Sequence, residues 1–272
     1  MVSKNILWIL VAFIAGLAVG YFLPMLVQQG GEQYVQKIKQ RGVLIMGTSA
    51  DWPPFEYVDK AGNVVGIDAE IAKRIAQELG VRLEVKDMKF AALIEALKGG
   101  QVDIVLADMT PTAERGKQVD FSIPYYFSKG NAVIVLESRL GEFKGINDFH
   151  GKKVGVQLGT IQEEWANDNL GGKAEVIPYD RVYPEMVMAL QRGDIDAIIV
   201  GDIMADAVMH KVSGLELAFY AGGTRIGAAV AVPKGADDLL YVVNSVIENM
   251  LESGEMEALL QTEVSKWLEA GG

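Results

Sequence analysis

From residue 43 onward, short runs rich in Val, Ile and Leu alternate with stretches in which apolar residues recur every three or four positions. That alternation predicts an α/β fold with largely parallel strands. The predicted strands are 43–47, 81–85, 102–106, 132–136, 153–157, 174–177, 197–200 and 228–232. A short polar helix at 33–40 precedes them. In the predicted helix 68–79, Ile71, Ile75 and Leu79 fall on one face and Gly80 ends the run. Asp59-Lys60-Ala61-Gly62-Asn63 has the composition of a hairpin turn. Two predicted terminal helices, 237–251 and 255–268, flank Ser253-Gly254. The pattern shows no internal repeat.

The N-terminus follows a different rule. Residues 6–27 carry no charge over twenty-two positions, with Lys4 before them and Glu32 after. That is long enough to cross a bilayer. The run exceeds the apolar core of a signal peptide, and Ala18-Val19-Gly20 makes a poor cleavage site, so an uncleaved anchor is expected ahead of a signal segment. Lys4 places the N-terminus in the cytoplasm and residues 32–272 outside the cell. Segment 1–31 is therefore expected to be anchor or signal plus spacer. The exported part suits two lobes better than one. Glycine-containing stretches at 128–131 and 222–225 each lead into a strand. If the chain leaves its first lobe at one and returns at the other, lobe one is 32–130 plus 224–272 and lobe two is 131–223.

Composition narrows the chemistry. Half of the 272 residues are apolar, which excludes disorder for most of the chain. The 25 basic and 36 acidic residues give a formal charge of −11, which repels a phosphate backbone, so no nucleic-acid partner is expected. There is no cysteine, and His150 and His210 are the two histidines, which removes thiolate chemistry and leaves little for metal ligation. Neither cofactor nor metal is expected. The motifs of serine hydrolases, zinc proteases, dinucleotide sites and phosphate loops are all missing.

The stretch Leu97 to Tyr126 is the most informative. Its strand 102–106 ends at Ala107-Asp108-Met109-Thr110, and a short helical turn carrying Arg115 follows. Ligands of α/β proteins bind beyond the carboxyl ends of strands. There Arg115 can grip a carboxylate with two parallel donors, and Thr110 can add a hydroxyl and an N–H. From spacing alone, an exposed helix arginine is the favoured reading of Arg115.

This stretch joins four other blocks in one collinear order: Gly47 to Glu56 (GTSADWPPFE), Gly66-Ile67-Asp68, Gly155 to Thr160 (GVQLGT) and Gly193 to Ala197 (GDIDA). Together they resemble the polar amino-acid family of extracellular solute-binding proteins, from about Val43 to Trp267. The resemblance implies a two-lobe, periplasmic-binding-protein-like (type II) fold that closes on a free polar amino acid and hands it to the permease subunits of an ABC transporter. It implies an α-carboxylate clamp of Arg115, Thr110, Thr160 and the N–H of Ile161, and it brings Gln157 into the site with the GVQLGT block. Thr160 would stand where a helix 161–169 begins, which also suits the physics of anion binding. Trp52 and Phe90 resemble the aromatic pair that flanks the ligand's side chain, which favours arginine, lysine, histidine or glutamine.

Three positions depart from the family's pattern. Ser49 stands where relatives for basic amino acids carry an acid. Asp108 occupies the place whose backbone carbonyl meets the ligand's α-ammonium. The aspartate for that ammonium falls five residues after the Asp of the Asp-Ala pair, which here is Gly201, so the role passes to Asp202 through a one-residue shift. On that assignment neither lobe alone supplies both charge partners. Two other classes stay open: a same-fold periplasmic dehydratase acting on prephenate-like or arogenate-like acids, with Asp108 as the acid, and the input domain of a membrane sensor.

Overall fold

A computed structural model of the chain describes residues 33–222 and 226–269. The predicted membrane segment lies outside the described residues, and among those residues no helix is long and apolar enough to cross a membrane.

Two five-stranded sheets organise the molecule. The first runs Arg82–Asp87, Val43–Thr48, Ile104–Val105, Ala231–Pro233, Val119–Phe121. Its first three strands are parallel, and Ala231–Pro233 is antiparallel to both of its neighbours. The second runs Glu175–Tyr179, Lys153–Gln157, Ala197–Gly201, Asn131–Leu136, Leu215–Ala221, and again three parallel strands meet an antiparallel one, Asn131–Leu136. Largely parallel sheets were expected, but each is mixed. The antiparallel members sit next to the passages between the sheets, where the chain returns rather than crossing over a helix.

Those passages pair with each other. Tyr126–Ser128 and Ile226–Ala228 form a two-stranded antiparallel ribbon between the sheets. The predicted strand 228–232 is therefore cut in two. At the cut, Ser122 N–H donates to the Val230 carbonyl and Val230 N–H donates to Ser122 Oγ, both at 2.9 Å. Residues on either side of Val230 can then serve different sheets. The predicted hairpin turn is present and opens a small sheet not foreseen in the sequence, Asp51–Trp52, Glu56–Val58, Val64–Val65. The Asp59 carboxylate accepts the N–H groups of Ala61 and Asn63 and closes the turn.

Helix Ile67–Leu79 buries Ile67, Ile71, Ile75 and Leu79 against the first sheet and stops at Gly80 in the left-handed region. Its start requires Gly66, whose φ is +120° and where a Cβ would stand 2.4 Å from the Phe55 carbonyl oxygen. The helices Asp237–Glu252 and Glu255–Glu269 close the fold. Trp267 near the end reaches across to the helix Asp202–Lys211, where its Nε1–H donates to the Ala207 carbonyl. The rings of Tyr57 and Tyr183 meet Trp267 edge-on at 4.9 and 5.1 Å.

Candidate functional site

The parallel strands of both sheets end facing one cleft. Val43–Thr48 leads into Trp52, Ile104–Val105 into Asp108 and Thr110, Lys153–Gln157 into Thr160, and Ala197–Gly201 stops at Gly201. Each of these residues lines the same cavity. Their convergence follows from topology, since backbone groups leaving a parallel sheet at its carboxyl edge have no strand partner.

Arg115 is the cavity's cation. It sits on the short helix Ala113–Gly116, which Thr112 caps by accepting the Arg115 N–H. Arg115 is 9% exposed, so the exposed-helix alternative does not hold. Its Nη1 donates to the Thr110 carbonyl at 2.7 Å, and its Nη2 reaches across the cleft to the Gly159 carbonyl at 2.9 Å. Phe90, which opens the turn Phe90–Ala92, places its ring 5.3 Å from the guanidinium. Burial lowers the Arg115 pKa to about 10, partly offset by Glu164, so the group stays charged at neutral pH.

On the facing side, Thr160 caps helix Ile161–Leu170. Its hydroxyl donates to the Gln157 carbonyl at 2.7 Å and accepts the Glu163 N–H. Ile161 and Gln162, the first residues of that helix, line the cavity, and first-turn N–H groups have no carbonyl above them. A carboxylate beside Arg115 would meet the positive end of this helix.

The other predicted residues divide. Trp52 lines the cavity and donates its Nε1–H to Asp108 Oδ2 at 3.0 Å. Asp108 adopts φ +44°, and its own N–H donates to Asp68 Oδ2 at 2.8 Å. Its carboxylate is crowded by protein on the inner side, and that burial, with repulsion from Asp68 and Asp202, pushes its pKa well above the usual carboxylate range. Gln157 lines the cavity and donates to Asp51 Oδ2 at 3.0 Å. Ser49 lies outside the cavity lining, fully buried, with its hydroxyl donating to Asp51 at 2.5 Å. Asp202 also lies outside that lining. Its carboxylate accepts the Tyr126 hydroxyl at 2.9 and 3.0 Å and the Lys129 N–H at 2.9 Å, and it begins its helix rather than capping it. Sequence reasoning put Asp202 against the ligand, but the hydrogen bonds turn it toward the ribbon that joins the lobes.

Asp51 and Asp68 were missed as contributors. Asp51 Oδ2 also accepts the Val182 N–H at 2.5 Å, so one carboxylate ties two segments of the second lobe to the first. Its signal was its place in the GTSADWPPFE block. Asp68 had one too, in Gly66-Ile67-Asp68. Among the described residues no group of His, Cys, Asp and Glu could hold a metal ion.

Comparison with known proteins agrees with this architecture. The profile of the bacterial extracellular solute-binding proteins, family 3, matches residues 44–268. The L-cystine-binding protein TcyJ of Escherichia coli (strain K12) is 34% identical over 260 residues, covering 96% of this chain and 92% of TcyJ. The arginine-binding extracellular protein ArtP of Bacillus subtilis (strain 168) is 41% identical over 221 residues, covering 79% and 84%. Among solved structures, the amino acid ABC transporter substrate-binding protein AbpA of Streptococcus pneumoniae, bound to L-arginine, superposes with a TM-score of 0.82 at 33% identity, covering 86% of this chain and 99% of AbpA. The chain belongs to the bacterial extracellular solute-binding proteins, family 3, and its solute-binding part works outside the cell.

Proposed function

We propose that this member of the family captures a free polar amino acid between its two lobes and delivers it to the permease subunits of an ABC transporter. The observation that carries this reading is the buried Arg115 guanidinium, aimed into a cleft whose opposite wall is the start of helix Ile161–Leu170. A buried cation facing unpaired N–H groups is a site for a carboxylate. Thr110, Thr160 and Ile161 complete that clamp, and Trp52, Phe90 and Gln157 bound the space for the side chain. The name of ArtP and the L-arginine bound to AbpA add weight to arginine, and the name of TcyJ to cystine.

The two sheets support lobe limits near 131–223 and 32–130 plus 224–272, with the ribbon of Tyr126–Ser128 and Ile226–Ala228 as the hinge. Segment 6–27 is the membrane anchor that keeps the receptor beside its permease and raises its local concentration there. The dehydratase alternative would need Asp108 as an acid facing a leaving hydroxyl. The receptor reading uses the cation, the helix start and the two-lobe geometry together.

A thermal-shift screen of the common amino acids and L-cystine on the full chain in detergent tests the reading. A ligand at a hundred times its Kd adds about 2.7 kcal/mol, or roughly 5–10 °C for a unit of this size. No shift with any of them, together with turnover of prephenate, would replace the receptor by the enzyme.

A further inference from the structure

A zwitterion buried between two lobes needs an anion for its amine as much as a cation for its carboxylate. Among the described residues, two charged side chains line the cavity, Arg115 and Asp108. Asp202 is not one of them, and its carboxylate already accepts the Tyr126 hydroxyl, whose one proton its two oxygens share, and the Lys129 N–H. We infer that Asp108, on lobe one, is the group that neutralises the ligand's α-ammonium, and that Asp202 holds the hinge ribbon instead. This inference rests on the amino-acid reading above.

Geometry across the cleft supports it. A Cβ built at Gly201, the last residue of its strand in lobe two, would stand 3.7 Å from Asp108 Oδ2 and 3.5 Å from Trp52 Cζ2. Gly201 and the Asp108 carboxylate therefore share one small region of the cavity, reached from opposite lobes. An acid attached at either position would serve the same point in space. Glycine on the lobe-two side leaves the room that the Asp108 carboxylate fills from the lobe-one side.

Two further contacts orient the group. The Trp52 indole N–H holds Oδ2 at 3.0 Å, and Asp68 holds the Asp108 main chain at φ +44° through its N–H. Asp68 and Asp202 both disfavour a negative charge on Asp108. An incoming ammonium would offset that repulsion. Asp68 has no place at the ligand on this account. It is a positioning residue that acts through the Asp108 amide.

The experiment measures amine selectivity by calorimetry, on the full chain in detergent. The probes are L-arginine, L-histidine, L-glutamine and L-cystine, each beside the same molecule lacking its α-amine. Asp108→Asn keeps the side chain's size and suits a positive φ, because asparagine tolerates that region. It is expected to weaken the amino acid by more than about tenfold while changing the deaminated acid by less than about threefold. Asp202→Asn is expected to keep the wild-type ratio between the two. Adding Gly201→Asp to Asp108→Asn is expected to restore the ratio, since it returns a carboxylate to the same region from the other lobe. The double variant also carries the test if Asp108→Asn alone melts too low to measure. Selectivity lost in Asp202→Asn and kept in Asp108→Asn would overturn the inference while leaving the receptor reading intact. A folded double variant without selectivity would overturn it as well. A wild type that binds none of the four amino acids would remove the receptor reading and this inference together.

Discussion

Replacing Arg115 by alanine removes three contributions that the structure separates. The bond to the Thr110 carbonyl lies within one lobe, so it is present in the open and closed forms and drops out of the affinity. The bond to the Gly159 carbonyl crosses the cleft and exists only on closure. A hydrogen bond to a charged group contributes about 1.5–3 kcal/mol. The ligand's carboxylate adds a two-pronged, charge-assisted contact of at least similar size. The expected loss is then about 3–6 kcal/mol, or from roughly a hundredfold to more than ten-thousandfold in Kd. Arg115→Lys keeps the charge, but one ammonium cannot span the Gly159 carbonyl and two carboxylate oxygens, so a loss near a hundredfold is expected. Calorimetry gives the affinities, and melting of the unliganded variants checks the fold. Little change in melting is expected, because burial already makes the charge costly in the free protein, as its lowered pKa records. Kd values within about tenfold of wild type in both variants would refute the clamp, since even the single cross-cleft bond is worth about that much.

Two other outcomes follow from the geometry. Trp52→Ala is expected to weaken arginine or histidine more than alanine or serine, measured by competition in the same calorimeter, because the indole both walls the cavity and steadies Asp108. Equal losses would leave it a packing role only. Full-length protein is expected to pellet with membranes and resist carbonate extraction through residues 6–27, and N-terminal sequencing that began near Tyr21 would establish cleavage instead.

The order of elements could be read from the chain because each rests on local rules. Apolar periodicity placed the helix Ile67–Leu79, and β-branched runs placed Val43–Thr48, Lys153–Gln157 and Ala197–Gly201 within a residue or two. What the sequence hid depends on distant partners. Val119–Phe121 is a strand because Ala231–Pro233 lies beside it. The expected strand 102–106 shortens to Ile104–Val105 because the chain must turn at once toward the cleft. At the site, Arg115 and Thr160 each carry a local signal, a strand end or a helix start, and both line the cavity. For Asp202, collinear spacing says which residue stands near Gly201 but not which way its carboxylate points. The Tyr126 hydroxyl and the Lys129 N–H decide that, and both lie more than seventy residues away.

Closure itself turns on a different carboxylate. At the rim, Lys89 pairs with Asp180 and Arg181 with Asp87 across the cleft; the first pair is largely exposed and contributes at most about 1 kcal/mol, while the second is partly buried and bidentate. Asp51 is buried and accepts Gln157 Nε2–H and Val182 N–H from the second lobe. In the closed form burial pushes its pKa up to about 6, against lowering by Ser49, the Val182 N–H and Arg181, with Asp87 adding repulsion. An opened cleft exposes the group to water and returns it toward 3.8. The closed form therefore binds the extra proton between those values, so its advantage is full below pH 4 and is lost as pH rises through about 6. Ligand affinity is expected to fall by up to roughly tenfold between pH 5 and pH 7 on this account. Asp51→Asn cannot ionise, so it should flatten that slope. At pH 5 it stands in for the protonated acid, its oxygen accepting from Gln157 and Val182 while its amide N–H donates to Ser49 Oγ. Calorimetry across this range in both proteins separates the effects. A slope that survives in Asp51→Asn would place the titrating group elsewhere, with Asp108 the first to examine, since its carboxylate lines the cavity.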